Sequence, residues 1–131
     1  MQTRWKWVGV LLYASVAQGA PKDVSFSQSG QTVEPYDFVE VTLRVEQPDA
    51  RNPFTDVAIE GEFRKPGGAP VSVEGFCDSA DGTIYRIRFM PSSSGEYSYA
   101  VTYRQGDFDK THTGAFRAVD GNRRHRMLST T

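Results

Sequence analysis

In the stretch FVEVTLRVEQ every second residue is apolar: Val39, Val41, Leu43 and Val45 alternate with Glu40, Thr42, Arg44 and Glu46. A two-residue period places one set of side chains in a core and the other in water, which an extended strand does and a helix does not. The same period recurs along the chain. It puts Val57, Ile59 and Phe63 against Glu60, Glu62 and Arg64, and Tyr85, Ile87 and Phe89 against Arg86 and Arg88. Val71 and Val73, the run Tyr97, Tyr99, Val101 and Tyr103, and the pair Phe116 and Ala118 extend it. No segment after the first twenty or so residues holds a helical period.

Between these runs lie turn formers: QPDARNPF, KPGGAP, DSADG, MPSSSGE and QGDFDK. With an early strand over Thr32 to Tyr36, about seven short strands are expected. That pattern predicts an all-β fold, an antiparallel β-sandwich of the immunoglobulin-like or fibronectin-III-like kind. Tyr97 follows Gly95 at the head of the sixth run, where such sandwiches place a tyrosine bonded back to the upstream chain. Tyr99 stands where an immunoglobulin cysteine would be. Both tyrosines also read as ordinary strand aromatics.

The expected core is Val41, Leu43, Val57, Ile59, Phe63, Val73, Ile87, Phe89, Tyr97, Tyr99, Val101 and Phe116, with Glu40, Glu60, Arg64 and Arg117 exposed.

The N-terminus reads differently. MQTRWK carries Arg4 and Lys6 and no acid, Trp7 to Ala17 is apolar, and small residues follow. That order is a secretory signal, and the apolar run is far below the ~20 residues that span a bilayer. Cleavage after Gly19 leaves 112 of the 131 residues as a secreted or periplasmic domain. Losing Arg4 and Lys6 takes the basic count from 15 to 13 against 16 acids, a net charge of −3. A charge so mild gives no reason to expect nucleic acid or a membrane surface as partner. Residues 20–119 form the expected domain. Residues 120–131, with the run RRHR, read as a basic tail or the remnant of a linker.

The segment VEGFCDSADGTIYRIRF concentrates reactive residue types. A calcium loop needs oxygen ligands at alternating positions, and Ala80 interrupts them. Glycoside hydrolysis needs two carboxyls facing each other, one of them kept protonated. Asp78 and Asp81, like Glu96, Asp107 and Asp109, sit among serine, glycine and other polar residues that keep them ionised. The simpler reading is an acidic hairpin turn with Asp81-Gly82 at the bend. Cys77, the single cysteine, is expected to be a free, partly buried thiol with no lysine or histidine adjoining it to lower its pKa. No catalytic residue, cofactor or metal site is expected.

NPFTDVAIEGEF, VEGFCDSADGTIYRIRFMPSSSGEYSYAVTY and HTGAFRAV together carry a resemblance. The chain resembles the immunoglobulin-like N-terminal domain of bacterial glycoside hydrolases, domain-of-unknown-function family 5060. The matching residues are Asn52, Pro53 and Phe54; Gly75, Phe76 and Asp78; Arg88, Phe89 and Pro91; Gly95, Tyr97 and Tyr99; and Gly114 and Phe116. Cys77 stands where the family usually has an aromatic residue. The resemblance implies a non-catalytic accessory domain that supports or orients a (β/α)-barrel, with the barrel itself absent after Thr131. Two other roles stay open. One is a stand-alone carbohydrate-binding module touching polysaccharide through Tyr36 and Phe108, since alternation sends Tyr85 and Tyr103 inward. The other is a truncated product with no independent role.

Overall fold

The structure is a computed structural model that describes residues 20–120. The expected signal peptide over 1–19, and the basic tail beyond Asp120, lie outside the described residues. The described residues hold nine strands and no helix: β1 Asp23–Gln28, β2 Thr32–Val33, β3 Val39–Glu46, β4 Ala58–Arg64, β5 Val71–Glu74, β6 Phe76–Cys77, β7 Ile84–Phe89, β8 Gly95–Gln105 and β9 Phe108–Ala118. They form a four-stranded sheet in the order β1-β3-β7-β6 and a five-stranded sheet in the order β2-β9-β8-β4-β5. All neighbours are antiparallel except β2 and β9, which run parallel.

The two sheets pack face to face in a sandwich-like arrangement because alternation gives each an apolar side. Val39, Val41, Leu43, Tyr85, Ile87 and Phe89 come from the first sheet; Ile59, Phe63, Tyr97, Tyr99, Val101 and Phe116 come from the second. Phe63 stacks on Phe89 across the gap, with ring centroids 4.5 Å apart, and Tyr97 stacks on Phe116 at 5.2 Å. Tyr85 and Tyr103 meet edge to face at 5.5 Å at the other end of this layer.

Four expectations are corrected. The early strand covers only Thr32–Val33, and Tyr36 instead sits in a turn at φ 65°. A strand absent from the sequence reading, β1, pairs along its full length with β3. Its apolar residues are only Val24 and Phe26 set among serines, a weak alternation. Val57 and Val73 are half-buried, the first just before β4 and the second on the edge strand β5, where no further strand covers them. Glu40 is half-buried rather than exposed, for a reason that lies in its partners.

The chain changes sheets at Gly75, between β5 and β6. A Cβ there would lie 2.6 Å from the carbonyl oxygen of Arg86 and 2.7 Å from Ile59 Cγ2, so only glycine lets the backbone pass. The Gly75 amide meanwhile donates to the Ile59 carbonyl at 2.8 Å. Tyr97 makes the upstream bond expected of it: its hydroxyl donates to the Ser93 carbonyl at 3.0 Å.

Candidate functional site

The outer side of the four-stranded sheet carries a row of charges drawn from β3, β7 and the residue that follows β6. Register sets it. Arg88 lies opposite Glu40, while Arg86 lies opposite Thr42 on one side and Phe76 on the other. Arg86 Nε donates to Asp78 Oδ2 at 2.6 Å, and its Nη1 donates to Glu40 Oε1 at 3.2 Å and Thr42 Oγ1 at 3.0 Å. Arg88 Nε donates to Glu40 Oε2 at 2.6 Å. The result is an alternating sequence of charges: Asp78, Arg86, Glu40, Arg88.

Both oxygens of Glu40 are engaged, and its side chain is only 18% exposed. That explains its burial: two guanidinium groups cover it. The hydrogen bond to Asp78, with the charge of Glu40 added, raises the pKa of Arg86 still further above its ordinary value.

The row ends on Arg88, and two phenyl rings hold that end. Phe38 and Phe76 are diagonal neighbours of Arg88 in the sheet, close enough for long side chains to meet. Their ring centroids lie 5.1 and 5.2 Å from its guanidinium carbon. Both are attractive cation–π distances. Met90 lies one residue past the last ladder pair, Val39–Phe89. Phe38, Phe76 and Met90 are 41%, 42% and 54% exposed. Beyond Nε, the Arg88 guanidinium makes no hydrogen bond among the described residues.

The turn that closes β6 onto β7 is held by its own side chains. Ser79 Oγ accepts from the amides of Thr83 and Ile84, each at 3.0 Å. Asp81 Oδ1 accepts from the Thr83 hydroxyl at 2.6 Å and the Thr83 amide at 3.2 Å. Gly82 completes the bend at φ 75°. The bonds from Thr83, then Ser79, hold the Asp81 carboxyl below its usual pKa. A general acid needs the opposite shift. Cys77 is a half-buried free thiol whose Sγ donates to the Ser79 carbonyl at 3.0 Å. Beside it, burial pushes the Tyr85 hydroxyl well up and that of Tyr103 up to about 12. Tyr103 donates to Gln105 Oε1 at 2.9 Å.

The remaining family-signature residues are spread through the fold. Asn52 Oδ1 accepts from the Phe54 amide at 3.1 Å and shapes the loop before β4. The Pro53 carbonyl accepts from the Tyr85 hydroxyl at 3.4 Å, and Phe54 is exposed. Pro91 lies two residues past β7, and Gly95 opens β8 at φ 131° beside Lys65. Phe89, Tyr97, Tyr99 and Phe116 are core, and the Tyr99 ring lies across the bare face of Gly114.

The two suggested sugar contacts are not brought together. Tyr36 is 72% exposed and follows β2, which pairs with the C-terminal end of β9. Phe108 opens β9 at the other end, half-buried, its ring edge-on to Tyr103 at 6.0 Å. Glu40, Thr42 and Phe38, which complete the charged row, escaped sequence reasoning. Their partners are more than forty residues away, and only the β3–β7 register joins them. Among the described residues, no group of three or more His, Cys, Asp or Glu is assembled to hold a metal ion, and no helix is long and apolar enough to cross a membrane.

Comparison with known proteins yields a family and a likeness of fold. A family profile described as "Domain of unknown function (DUF5060)" matches residues 32–104. No curated protein matches the sequence. Among solved structures, an engineered protein determined as a Northeast Structural Genomics Consortium target superposes with a TM-score of 0.51 at 17% identity. The match covers 76% of this chain and 21% of that one, so this chain spans about a fifth of the length of the structure it resembles. At that identity the likeness is one of fold alone.

Proposed function

Since the chain belongs to the family described as Domain of unknown function (DUF5060), we propose that it is an exported, immunoglobulin-like, non-catalytic accessory domain that supports or orients the catalytic barrel of a secreted glycoside hydrolase. The observation that carries this reading is how the family-signature residues are used. Gly75 makes the change of sheet, Asn52 shapes a loop, Asp78 pairs with Arg86, and Phe89, Tyr97, Tyr99 and Phe116 fill the core. These are structural roles within the fold.

Two features support the immunoglobulin-like assignment. Four strands oppose five, with β2 crossing to pair parallel with β9 while β1 stays with β3. The Tyr97 hydroxyl returns to the Ser93 carbonyl, as in a tyrosine corner. The low pKa direction of Asp81 supports the non-catalytic part.

The test is to assay the protein on a panel of plant and bacterial polysaccharides, alone and with a barrel module. No turnover alone, and added stability or altered substrate range with the barrel, is expected. Turnover by the protein alone that disappears in Asp78→Asn or Asp81→Asn would make it an enzyme. N-terminal sequencing of exported protein should begin at Ala20.

A stand-alone carbohydrate-binding role has one observation in its favour, the exposed ring of Tyr36. Polysaccharide binding without turnover, lost in Tyr36→Ala, would establish that role instead.

A further inference from the structure

We propose that the corner of the four-stranded sheet built from Arg88, Phe38, Phe76 and Met90 is a protein-docking surface, and that it receives a carboxylate set within an apolar patch on the partner module. The inference rests on the accessory-domain reading and says which face meets the barrel and by what chemistry.

The argument starts from the charged row. Asp78, Arg86 and Glu40 are paired within the fold. Arg88 gives one nitrogen to Glu40 and keeps both η nitrogens without a hydrogen-bond partner among the described residues, in a side chain 48% exposed. A guanidinium carries five N–H donors in a planar fork that matches a carboxylate in two parallel bonds. Here the fork is already oriented. Glu40 fixes its near side, and the rings of Phe38 and Phe76 sit over it at 5.1 and 5.2 Å. An arginine held this way loses little freedom on binding, which is what makes preorganised contacts strong.

The surroundings favour a protein over a sugar. Arginine, aromatic residues and methionine are the types enriched at the centres of protein interfaces. Phe38, Phe76 and Met90 supply that composition around one cation, and Thr42, Glu40 and Asp78 supply the polar rim. Each phenyl ring already has the guanidinium over it, which engages a face that a sugar would otherwise stack on.

The experiment is calorimetric titration of the full chain with the isolated barrel module of a DUF5060-family glycoside hydrolase from which its own first domain has been removed. One-to-one binding is expected. Arg88→Lys keeps the charge but loses the fork, and Phe76→Ala removes half of the clamp; each should weaken binding about tenfold or more. Met90→Ser, at an exposed position outside the ladder, should weaken it without unfolding the domain. Arg104→Ala, on the outer side of the other sheet, should leave it unchanged.

Binding that ignores Arg88→Lys, Phe76→Ala and Met90→Ser overturns the docking surface and leaves the accessory role standing. No binding by the unaltered chain overturns the accessory role and the surface with it. Two further results would also overturn the proposal. One is self-association, seen by sedimentation and abolished by Arg88→Lys. The other is binding of polygalacturonate or a neutral glucan abolished by the same change.

Discussion

The two sheets present outer faces of opposite character, although both strand sets obey the same alternation. On the four-stranded sheet, four charges join into one row, and its central acid is largely covered. On the five-stranded sheet, the ion pairs stand alone. Arg104 Nη1 meets Glu60 Oε1 at 3.0 Å and Arg117 Nη2 meets Glu96 Oε2 at 2.8 Å, with every partner between 46% and 64% exposed. Between them the surface is small-chained: Ser98, Ala100 and Thr113 floor a shallow depression of about 550 Å³ beside Glu62 and Arg64. Isolated exposed pairs contribute little to stability, whereas a shared, half-buried acid restrains two arginines at once. Charge content alone does not distinguish the faces; connectivity does.

The core beneath is common to both faces, so damage there should erase the contrast. Phe63→Ala removes a fully buried ring stacked on Phe89. It should cost about 3–5 kcal/mol, and hydrogen exchange should show both sheets losing protection together. Loss confined to the five-stranded sheet would mean that the sheets are stabilised separately.

At the opposite end of the layer, Tyr85 and Tyr103 join the sheets through their rings, and burial raises both hydroxyl pKa values. A folded pKa above the unfolded value near 10 stabilises below that pH, and the contribution is lost as pH rises toward the folded value. For Tyr103, at about 12, the loss is on the order of 2 kcal/mol across that interval. Unfolding between about pH 10 and 12 followed by tyrosinate absorbance checks it, and Tyr103→Phe should make that dependence shallower, leaving the part due to Tyr85.

The direct trial of the contrast is a matched pair of truncations. Glu40→Ala leaves Arg86 and Arg88 without their shared acceptor and should cost about 1–2 kcal/mol by denaturant titration. Glu60→Ala removes one exposed pair and should stay within about 0.5 kcal/mol. Equal losses would show that the row confers nothing beyond its separate pairs.

The smallest effect is expected at Asp81. Its depressed pKa stabilises above the ordinary carboxylate value of 3.8 and is lost as pH falls through the folded value. Asp81→Asn should therefore give a slightly shallower acid unfolding profile than the unaltered chain.

Much of this architecture was legible in the sequence, and the reasons are local. Alternation needs only neighbouring residues, so the inward set of β3, β4, β7 and β8 could be read from the chain, down to Tyr85 and Tyr103. Gly82 and Tyr97 each act within four or five residues of their own position. What escaped depends on distant strands. β1 has too few apolar residues to announce itself, and it is held by β3 and by Lys110 of β9, whose Nζ donates to Asp23 Oδ1 and the Val24 carbonyl at 2.7 Å each. Glu40 looked exposed because its strand alternates cleanly, but Arg86 and Arg88 cover it from across the sheet. Arg88 was visible as one of two arginines on a wet face and as a residue of the family signature; the clamp around it exists only once β6, β7 and the start of β3 are in register.

The parallel pairing of β2 with β9 has a mechanical consequence. Its two flanking bonds, from the Arg117 amide to the Gln31 carbonyl at 2.8 Å and from the Val119 amide to the Val33 carbonyl at 2.9 Å, join strands that point the same way. Tension that draws the start of β2 and the end of β9 apart acts along both strands, so these bonds share the load instead of peeling one after another.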